Sequence, residues 1–355
     1  MSNGSGNGSG PERGDGTGQK PSSGGGPVVV VTGGSAGVGR ATALAFARQG
    51  ASVAVLARGV ERLEDARREI QSLGARGLAV PTDVADPDAV ENAATRVEDE
   101  LGPIDVWVNN AMASVFSPVK ELTADEVRRV SEVSYLGSVH GILSALRRMS
   151  GRDRGTIVQV GSALAYRAIP LQASYCASKF AIRGFVDSLR TELLHDKSGV
   201  RITTVHLPAL NTPQFGWVRT RLPGHPQPVP PIYQPEVAAR AIVWASTHDR
   251  REVWVGAPTV ATILGNRLIP GLLDRYLART GFDSQQQPDE PVGPDRQDNL
   301  WQPASGHQAA HGKFDDRAHD RSLQLEASLR RRELAGAGSL AALAGLASAV
   351  VRRRR

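Results

Sequence analysis

Cysteine is almost absent from this 355-residue sequence, in which Cys176 is the single example. One cysteine cannot form an intramolecular disulfide and indicates a reducing compartment, so we expect a cytoplasmic protein. Cys176 could line a pocket beside Tyr175, although a small buried hydrophobe is the commoner role of a free cysteine. Residues 1–26 lack the apolar stretch of a secretory signal, and their Gly, Ser, Asn and Pro content predicts a disordered arm.

Signatures of metal and nucleic-acid binding are lacking as well. His307, His311 and His319 have no cysteines at metal-ligand spacing, so we expect no metal site. The formal net charge is +6 with a pI near 9.8, but much of this excess lies in arginine clusters near the C-terminus. Because no aromatic platform interleaves with those arginines, we expect no nucleic-acid partner.

Long apolar runs are also scarce, and one uncharged segment raises the question of a membrane. Residues 334–351 contain only Ala, Gly, Leu, Ser and Val and are flanked by arginines. As a helix they would span about 27 Å, close to the bilayer core, but Ala and Gly are weakly hydrophobic and no Trp or Tyr marks an interface. The pattern over 334–355 therefore predicts a small-residue apolar helix. This helix either anchors to a membrane, by spanning it or by lying on its surface with the arginines on anionic lipid, or packs on another subunit or stays loose.

Between residues 27 and 257, apolar runs suited to buried strands alternate with helical patterns through seven rounds. This alternation predicts an α/β domain of the Rossmann type, with a doubly wound parallel seven-stranded sheet and helices on both faces. Ligands of such sheets sit at the carboxyl ends of the strands, so polar residues there are the candidate functional residues. Residues 258–333 should form an extension that is first helical and then polar.

A glycine-rich turn follows the first predicted strand and opens directly into a helix. It reads TGGSAGVGR and includes Gly33, Ser35, Gly37, Val38 and Gly39. Glycines allow a tight turn and the close approach of a pyrophosphate, while the helix N-terminus offers free N–H groups and a positive dipole end. The turn therefore predicts a dinucleotide site.

The end of the second strand usually selects the cofactor. An acidic side chain there would bind the ribose hydroxyls of NAD, whereas this chain has Arg58, a cation suited to a 2′-phosphate. We therefore predict that NADP(H) is preferred over NAD(H), although Arg58 could merely begin the charged face of the next helix. Asp83, which precedes Val84 after the third strand, is a candidate adenine contact or else caps a turn.

Residues 155–184 hold the strongest chemical pattern. A buried strand over 156–160 delivers Ser162 at its C-terminal end, and a helix over 172–190 places Tyr175 and Lys179 one turn apart on one face. An ammonium near a phenol favours the phenolate and lowers the tyrosine pKa, so that Tyr175 could act as general acid or base. The Ser162 hydroxyl could hold a carbonyl or alcohol oxygen. The alternative is a surface Tyr-Lys pair that arises by chance.

Taken together and in this order, these motifs resemble the classical short-chain dehydrogenase/reductases over residues 28–256. The resemblance implies that Tyr175 is the catalytic acid/base, that Lys179 holds the nicotinamide ribose and lowers the tyrosine pKa, and that Ser162 orients the substrate. It also implies cofactor contacts from residues at further strand ends, which are Val84, Asn109, Ala111, Pro208 and Thr212.

Three positions depart from the pattern of that family. Met112 stands where a Gly usually follows Asn-Asn-Ala, and Ala209 replaces the Gly of a Pro-Gly pair. Ser134 stands where the family has a catalytic Asn that holds a water in the proton relay from the lysine. Either the Ser134 hydroxyl holds the same water or the relay is altered.

The sequence thus predicts an NADP(H)-dependent oxidoreductase that acts on a carbonyl or secondary alcohol. The alternative is a non-catalytic cofactor-binding scaffold or sensor of the same fold, recruited through its C-terminal tail. Residues 213–235, rich in proline, are typical of a lid or binding loop, and their apolar side chains Phe215, Trp217, Val218 and Leu222 favour a lipophilic substrate. Family likeness implies a homo-oligomer.

Overall fold

Seven parallel strands form the central sheet. The computed structural model describes residues 25–293, 296–306 and 309–331. The strands are β1 Val28–Thr32, β2 Ser52–Ala57, β3 Gly77–Pro81, β4 Ile104–Asn109, β5 Gly155–Ser162, β6 Val200–Leu207 and β7 Glu252–Trp254. Their order across the sheet is β3-β2-β1-β4-β5-β6-β7, which places a topological switch point between β1 and β4, where such sheets bind ligands. The predicted Rossmann-type architecture is confirmed.

Helices cover both faces of this sheet because its strands are apolar on both sides. They are α1 Gly37–Ala47, α2 Val60–Ser72, α3 Pro87–Leu101, α4 Ala124–Ser131, α5 Gly137–Ser150, α6 Ala173–His195, α7 Pro235–Thr247, α8 Ala257–Leu268, α9 Pro270–Thr280 and α10 Leu323–Leu329. The apolar faces of α1, α2 and α7 share one core cluster. Those of α3, α5 and α6 share the second, on the opposite face of the sheet.

The helical segment from α4 to α5 has a local irregularity. It starts at a capping box, in which Thr123 and Glu126 satisfy each other's backbone N–H groups. A π-helical turn, Glu132–Leu136, then separates α4 from α5. Such turns often occur at functional sites, and this one carries Ser134.

The chain beyond β7 begins with the α8–α9 pair and then runs back over the domain. Gln286–Pro291 pairs with Gly224–Pro226, and Ala318–His319 pairs with Ile232–Tyr233. Gly224–Pro226 and Ile232–Tyr233 both lie within the proline-rich segment 213–235, so the extension and this segment hold each other in place through backbone pairing.

Two aromatic residues of the extension, Trp301 and Phe314, differ in burial. Phe314 is 2% exposed and meets the ring of Phe215 edge-on, with ring centroids 5.8 Å apart. Trp301 remains 45% exposed, and its neighbour Leu300 is fully buried in its place. Docking of the extension therefore depends on Leu300 and Phe314.

Two predictions fall outside the described residues, namely the apolar helix over 334–355 and all but the last two residues of the arm over 1–26. In the part of the chain that the structure describes, no helix is both long and apolar enough to cross a membrane. The same part contains no group of His, Cys, Asp or Glu side chains that could hold a metal ion. Of the three histidines considered above, His311 instead contacts Glu236 and Asp315.

Candidate active site and cofactor cleft

A cavity of about 520 Å³ lies at the carboxyl ends of the strands and extends from the glycine-rich turn to α8 and α9. Most of the residues predicted from the sequence line it: Gly33, Ser35, Gly37, Val38, Arg58, Asp83, Val84, Ala111, Ser162, Tyr175, Lys179, Pro208 and Thr212. Gly39, Asn109 and Ser134 do not. The structure therefore collects residues from six different connections into one site, as the switch-point topology requires.

Ser162, Tyr175 and Lys179 meet at the centre of this cavity. The Ser162 hydroxyl lies close enough to the Tyr175 phenol to influence its pKa. Lys179 Nζ lies 5.5 Å from the centroid of the Tyr175 ring and donates to the Val160 carbonyl oxygen at 2.9 Å. Ser162 and Lys179 are 8% and 3% exposed, whereas Tyr175 keeps part of its surface open to the cavity. The phenol is thus the group of the three that is presented to an incoming molecule.

Burial decides the charge states of this trio. It raises the pKa of Tyr175 above its ordinary value, and the nearby Ser162 hydroxyl opposes that rise. It lowers the pKa of Lys179 to about 8. Lys179 was expected to lower the tyrosine pKa, and in this structure it does not. Its amine is hydrogen-bonded to the Val160 carbonyl oxygen, and burial of the phenol has the largest effect on the Tyr175 pKa. A protonated phenol, the form that donates a proton, is favoured.

A buried polar network lies directly behind Ser162, and the sequence analysis did not identify it. His206 on β6 is fully buried, and its Nδ1 lies 3.1 Å from the Ser162 carbonyl oxygen. Because a carbonyl only accepts, Nδ1 must carry the proton. Glu252 lies 3.8 Å from the other ring nitrogen and accepts a hydrogen bond from the Tyr166 hydroxyl at 2.6 Å. The one available signal was a histidine near the C-terminal end of a predicted strand.

Glu252 is the charged member of this network. Burial acts to raise its pKa, but the nearby His206 ring and hydrogen bonds from the Tyr166 hydroxyl and Trp254 Nε1 lower the Glu252 pKa to about 2. Burial, together with the same contact with Glu252, raises the pKa of the Tyr166 phenol. The network therefore presents one carboxylate that accepts from Tyr166 and Trp254 and lies beside His206, which in turn donates to the backbone at Ser162.

Two predicted site residues face away from the cavity. Asn109 was predicted to contact the cofactor, but its side chain accepts from Trp107 Nε1 at 2.8 Å and donates to the Ser138 carbonyl oxygen at 3.0 Å. The neighbouring Asn110 lies on the cavity wall instead. Asn109 therefore ties β4 to α5, and its assignment as a cofactor contact is corrected.

Ser134 was proposed to replace the catalytic asparagine of the family. Its hydroxyl accepts from the Ala113 N–H and donates to the Ala113 carbonyl oxygen, both at 2.9 Å. A hydroxyl has one proton to donate, and Ser134, fully buried, uses it on the backbone. The geometry thus gives Ser134 a positioning role for the segment after β4, which carries Ala111 and Met112 along the cavity.

The glycine-rich turn has the geometry that a dinucleotide requires. Gly33 and Gly37 have φ angles of +66° and +55°, values that glycine adopts without strain. A Cβ on Gly39 would lie 2.2 Å from the Gly33 carbonyl oxygen, so Gly39 permits the close contact between turn and helix. Thr212 Oγ1, at the cavity and opposite Gly37, is buried without a hydrogen-bond partner among the described residues. An unsatisfied hydroxyl at this point fits a polar ligand group.

The far end of the cleft is closed by the extension. Residues 296–306, which we call the strap, pass over the ends of β2 and β3. The Arg58 guanidinium donates to the carbonyl oxygens of Asn299, Leu300 and Trp301. The predicted 2′-phosphate residue and the strap are therefore in direct contact.

Asp83, the predicted adenine contact, is paired with Arg129, which also donates to the Leu300 carbonyl oxygen at 3.2 Å. Burial acts to raise the Asp83 pKa, but the hydrogen bonds from Arg129 and from the Ala85 N–H bring it below the ordinary value. Asp83 is therefore a carboxylate at neutral pH, held at the cavity wall next to Arg58 and the strap.

The opposite end of the cavity is apolar. Its wall comprises Met112, Phe116, Ile169, Phe215, Val218, Leu273, Tyr276 and Leu277. Of the four lipophilic residues predicted from segment 213–235, Phe215 and Val218 line this wall and Leu222 packs in the cluster behind it. Trp217 lines the cavity near the strap instead, where its ring centroid is 4.8 Å from the Arg62 guanidinium and its carbonyl oxygen accepts from the Asn299 N–H at 3.0 Å. Cys176, which was considered as a lining residue, is buried outside the cavity, and burial raises its pKa to about 11.

Comparison with known proteins identifies relatives of the core. A family model described as short chain dehydrogenase matches residues 27–221. An uncharacterized oxidoreductase, YxnA, of Bacillus subtilis (strain 168) is 29% identical over 326 residues, which cover 91% of this chain and 90% of the relative. A 3-dehydrosphinganine reductase of Danio rerio is 30% identical over 226 residues, covering 61% of this chain and 68% of that protein.

A solved structure shows the same core. The alcohol dehydrogenase from the archaeon Thermococcus sibiricus, complexed with 5-hydroxy-NADP, superposes with a TM-score of 0.56 at 28% identity. The match covers 64% of this chain and 95% of the chain of that structure. The remainder of the present chain is thus additional to a core of that size.

Proposed function

The chain is an oxidoreductase of the short chain dehydrogenase family, and from this premise we propose that it reduces the carbonyl group of a lipophilic substrate with NADPH, and oxidises the alcohol in reverse. The observation that carries the proposal is the convergence of Ser162, Tyr175 and Lys179 on the cavity that contains the glycine-rich turn. A cofactor-binding scaffold without turnover has no physical need for a phenol beside an amine in a buried cleft.

The residues divide the chemistry as follows. The Ser162 hydroxyl holds the substrate oxygen by a hydrogen bond, and Tyr175, whose raised pKa keeps it protonated, donates the proton to that oxygen. Lys179, one turn away on α6, holds the far side of the phenol and the ribose of the cofactor. Bound NADPH supplies the hydride. Met112 and Phe215 exclude water from the apolar end of the cavity.

The cofactor half of the proposal rests on the charges at the end of β2. Arg58 and Arg62 both line the cavity beside Ser35, and two guanidinium groups suit a phosphate rather than a free ribose hydroxyl. The related Thermococcus enzyme is bound to an NADP derivative. Fluorescence titration of the full chain should therefore give a lower Kd for NADPH than for NADH, and equal values would refute the preference.

The substrate half rests on the apolar wall. A cavity that combines Phe116, Ile169 and Val218 with one cluster of polar groups suits a long-chain or polycyclic ketone. The similarity to a 3-dehydrosphinganine reductase agrees with a lipid-like ketone. The test is NADPH oxidation with methyl ketones of increasing chain length, measured for the wild type and for Tyr175→Phe. We expect kcat/KM to rise with chain length in the wild type, and a flat series would contradict a lipophilic substrate.

We further propose that the α8–α9 pair contacts a membrane surface from which such a substrate is drawn. Leu268, Ile269, Leu272 and Tyr276 are 77%, 47%, 57% and 61% exposed, and α9 contains no buried residue. Arginines 267, 275 and 279 flank these side chains, while the one acidic residue of the pair, Asp274, is bonded to Arg167. An apolar stripe bordered by cations suits anionic lipid, and α9 also forms the wall of the cavity.

Vesicle flotation tests this contact. The full chain should float with vesicles that contain phosphatidylserine and should float less with phosphatidylcholine alone. Leu268→Ser/Leu272→Ser should reduce flotation, whereas Leu194→Ser, at a side chain that is 71% exposed on α6, should not. Absence of flotation by the wild type would refute the membrane contact, and a wild-type dimer that the double substitution dissociates would assign this face to a second copy of the chain.

A further inference from the structure

The strap is held to the core chiefly through its backbone. Besides the three carbonyl groups that Arg58 binds, Arg129 Nε donates to the Leu300 carbonyl oxygen at 3.2 Å, and Arg62 donates to the Ala304 carbonyl oxygen. These arginines belong to three separate elements of the core: the end of β2, α2 and α4. The strap thus bridges the helices and strand that surround the adenosine end of the cleft.

One side chain adds an apolar anchor. Leu300 is fully buried in the cluster that contains Val84 and Val133, while the next residue, Trp301, is 45% exposed. Asp298 supports the anchor by accepting from the Leu300 N–H at 3.0 Å and by pairing with Arg219 at 2.6 Å. No helix or strand is formed by residues 296–306. The Arg296 guanidinium and the Asn299 N–H add bonds to carbonyl oxygens of residues 215–217. The strap can therefore leave the core as a local segment, at the loss of these hydrogen bonds, the Asp298–Arg219 pair and one buried apolar side chain.

The cavity runs beneath the strap. Its walls include Arg58, Gly59 and Asp83 on the core side and Asn299, Pro303 and Ala304 on the strap side. Farther along, the Gly37 N–H at the start of α1 donates to the Ala309 carbonyl oxygen at 3.2 Å. The extension thus reaches both the end of β2, where the 2′-phosphate is expected, and the helix N-terminus, where the pyrophosphate is expected.

We propose that the strap is a clasp over the cofactor, which encloses the adenosine end of NADP(H) and must lift from Arg58 and Arg129 before the cofactor can enter or leave. This inference rests on the proposed use of NADP(H). The 2′-phosphate and the strap carbonyl groups share the donors of Arg58, so the same residue binds the ligand and holds its cover. The clasp makes cofactor exchange, and with it product release, dependent on a segment outside the family core.

An engineered disulfide provides the direct test. A Cβ at Gly59 would lie 3.5 Å from Pro303 Cβ, a separation that a disulfide accepts, and the native Cys176 is buried. In the Gly59→Cys/Pro303→Cys variant, oxidation should slow NADPH association, followed by stopped-flow fluorescence, by at least about tenfold, and dithiothreitol should restore the rate. Equal rates in the oxidised and reduced forms would overturn the clasp.

A second pair of variants does not depend on forming that bond. Leu300→Ala should raise the rates of both NADPH association and dissociation by about tenfold or more, because it removes the apolar anchor. Trp301→Ala, at the exposed neighbour, should leave both rates unchanged. If Leu300→Ala exchanges NADPH at the wild-type rate, the strap does not gate the cofactor. If wild-type protein binds neither NADPH nor NADH, the proposed function itself fails, and this outcome is separate from the other two.

Discussion

The two ends of the cleft are built in opposite ways. At the catalytic end, Ser162, Tyr175 and Lys179 are side chains of a strand and a helix, and their chemistry depends on residue type. At the adenosine end, Arg58 and Arg129 hold carbonyl groups of the strap that any residue could supply. The catalytic end is therefore specified by particular residue types at fixed sequence spacing. The adenosine end is specified by the path that the strap backbone follows.

This difference explains why the chain combines the family core with a cover that lies outside residues 27–221, the part matched by the family model. Reacting groups must be held to fractions of an ångström, and buried positions on regular elements provide that. A cover must instead release its ligand, and an irregular segment with few buried side chains opens locally at lower cost. Leu300 is the point at which the cover acquires core-like packing.

The largest expected effect is at the catalytic end. Tyr175→Phe removes the proton donor and should lower kcat for carbonyl reduction by about 10²–10⁴-fold. The Kd for NADPH should change little, because the adenosine end is untouched. Tyr135→Phe, at a half-buried phenol that does not line the cavity, is the matched control and should keep its activity. A Tyr175→Phe variant with wild-type kcat would show that Tyr175 is not the proton donor, and that the catalytic end does not depend on this residue type.

The next prediction asks whether the extension belongs to the folding unit of the core. Phe314 fixes the far side of the strap, buried against Phe215. Phe314→Ala should lower the free energy of unfolding by about 3–5 kcal/mol in urea. Leu323→Ala, at a side chain that is 85% exposed, should change it by less than about 0.5 kcal/mol. A loss below 1 kcal/mol for Phe314→Ala would show that the extension is an appendage, and that the strap has no fixed anchor beyond it.

The fold of the core could be predicted from the sequence because its signals are local. Apolar runs that alternate with amphipathic helices specify the parallel sheet, and the strand ends then place Gly33, Asp83, Ser162 and Thr212 at one edge. The resemblance to a known family added the roles. The position of the strap had no comparable signal. The strap is held by its own backbone carbonyl groups, which any residue can supply, and those that bind Arg58 are more than 200 residues away from it in the chain.

The misplaced residues have specific physical reasons. Asn109 and Asn110 are adjacent on an extended backbone, so their side chains point to opposite sides, and the sequence alone did not show which one faces the cleft. Ser134 is satisfied by Ala113, a contact made possible by the π-helical turn. His206 is one of four polar residues in β6, and its role depends on a pairing between β5 and β6 that aligns it near Ser162.

The pH dependence sharpens the comparison at the catalytic end. Burial raises the pKa of Tyr175, so the phenol needed for carbonyl reduction is present at all pH values below that pKa. Reduction should therefore show a level kcat from pH 5 to 7, below the pKa of about 8 that burial gives Lys179. Oxidation of the alcohol needs the phenolate and should rise by about tenfold per pH unit over the same range. If reduction instead falls with a midpoint near pH 7, Lys179 lowers the tyrosine pKa once the cofactor is bound.

The smallest expected effect concerns His206. It donates to the Ser162 carbonyl oxygen and so positions the catalytic end through the backbone. Arg58 and Arg129 bind backbone carbonyl oxygens in the same way at the adenosine end. His206→Leu removes the N–H donor to the Ser162 carbonyl oxygen and should lower kcat by about 2–10-fold, the value of one hydrogen bond of 0.5–1.5 kcal/mol. His206→Asn retains an N–H donor at a similar distance from the backbone and should recover most of the loss. KM for NADPH should stay constant in both variants, because neither touches the adenosine end. If Asn and Leu reduce kcat equally, the loss reflects packing in the fully buried site, and the hydrogen bond does not position Ser162.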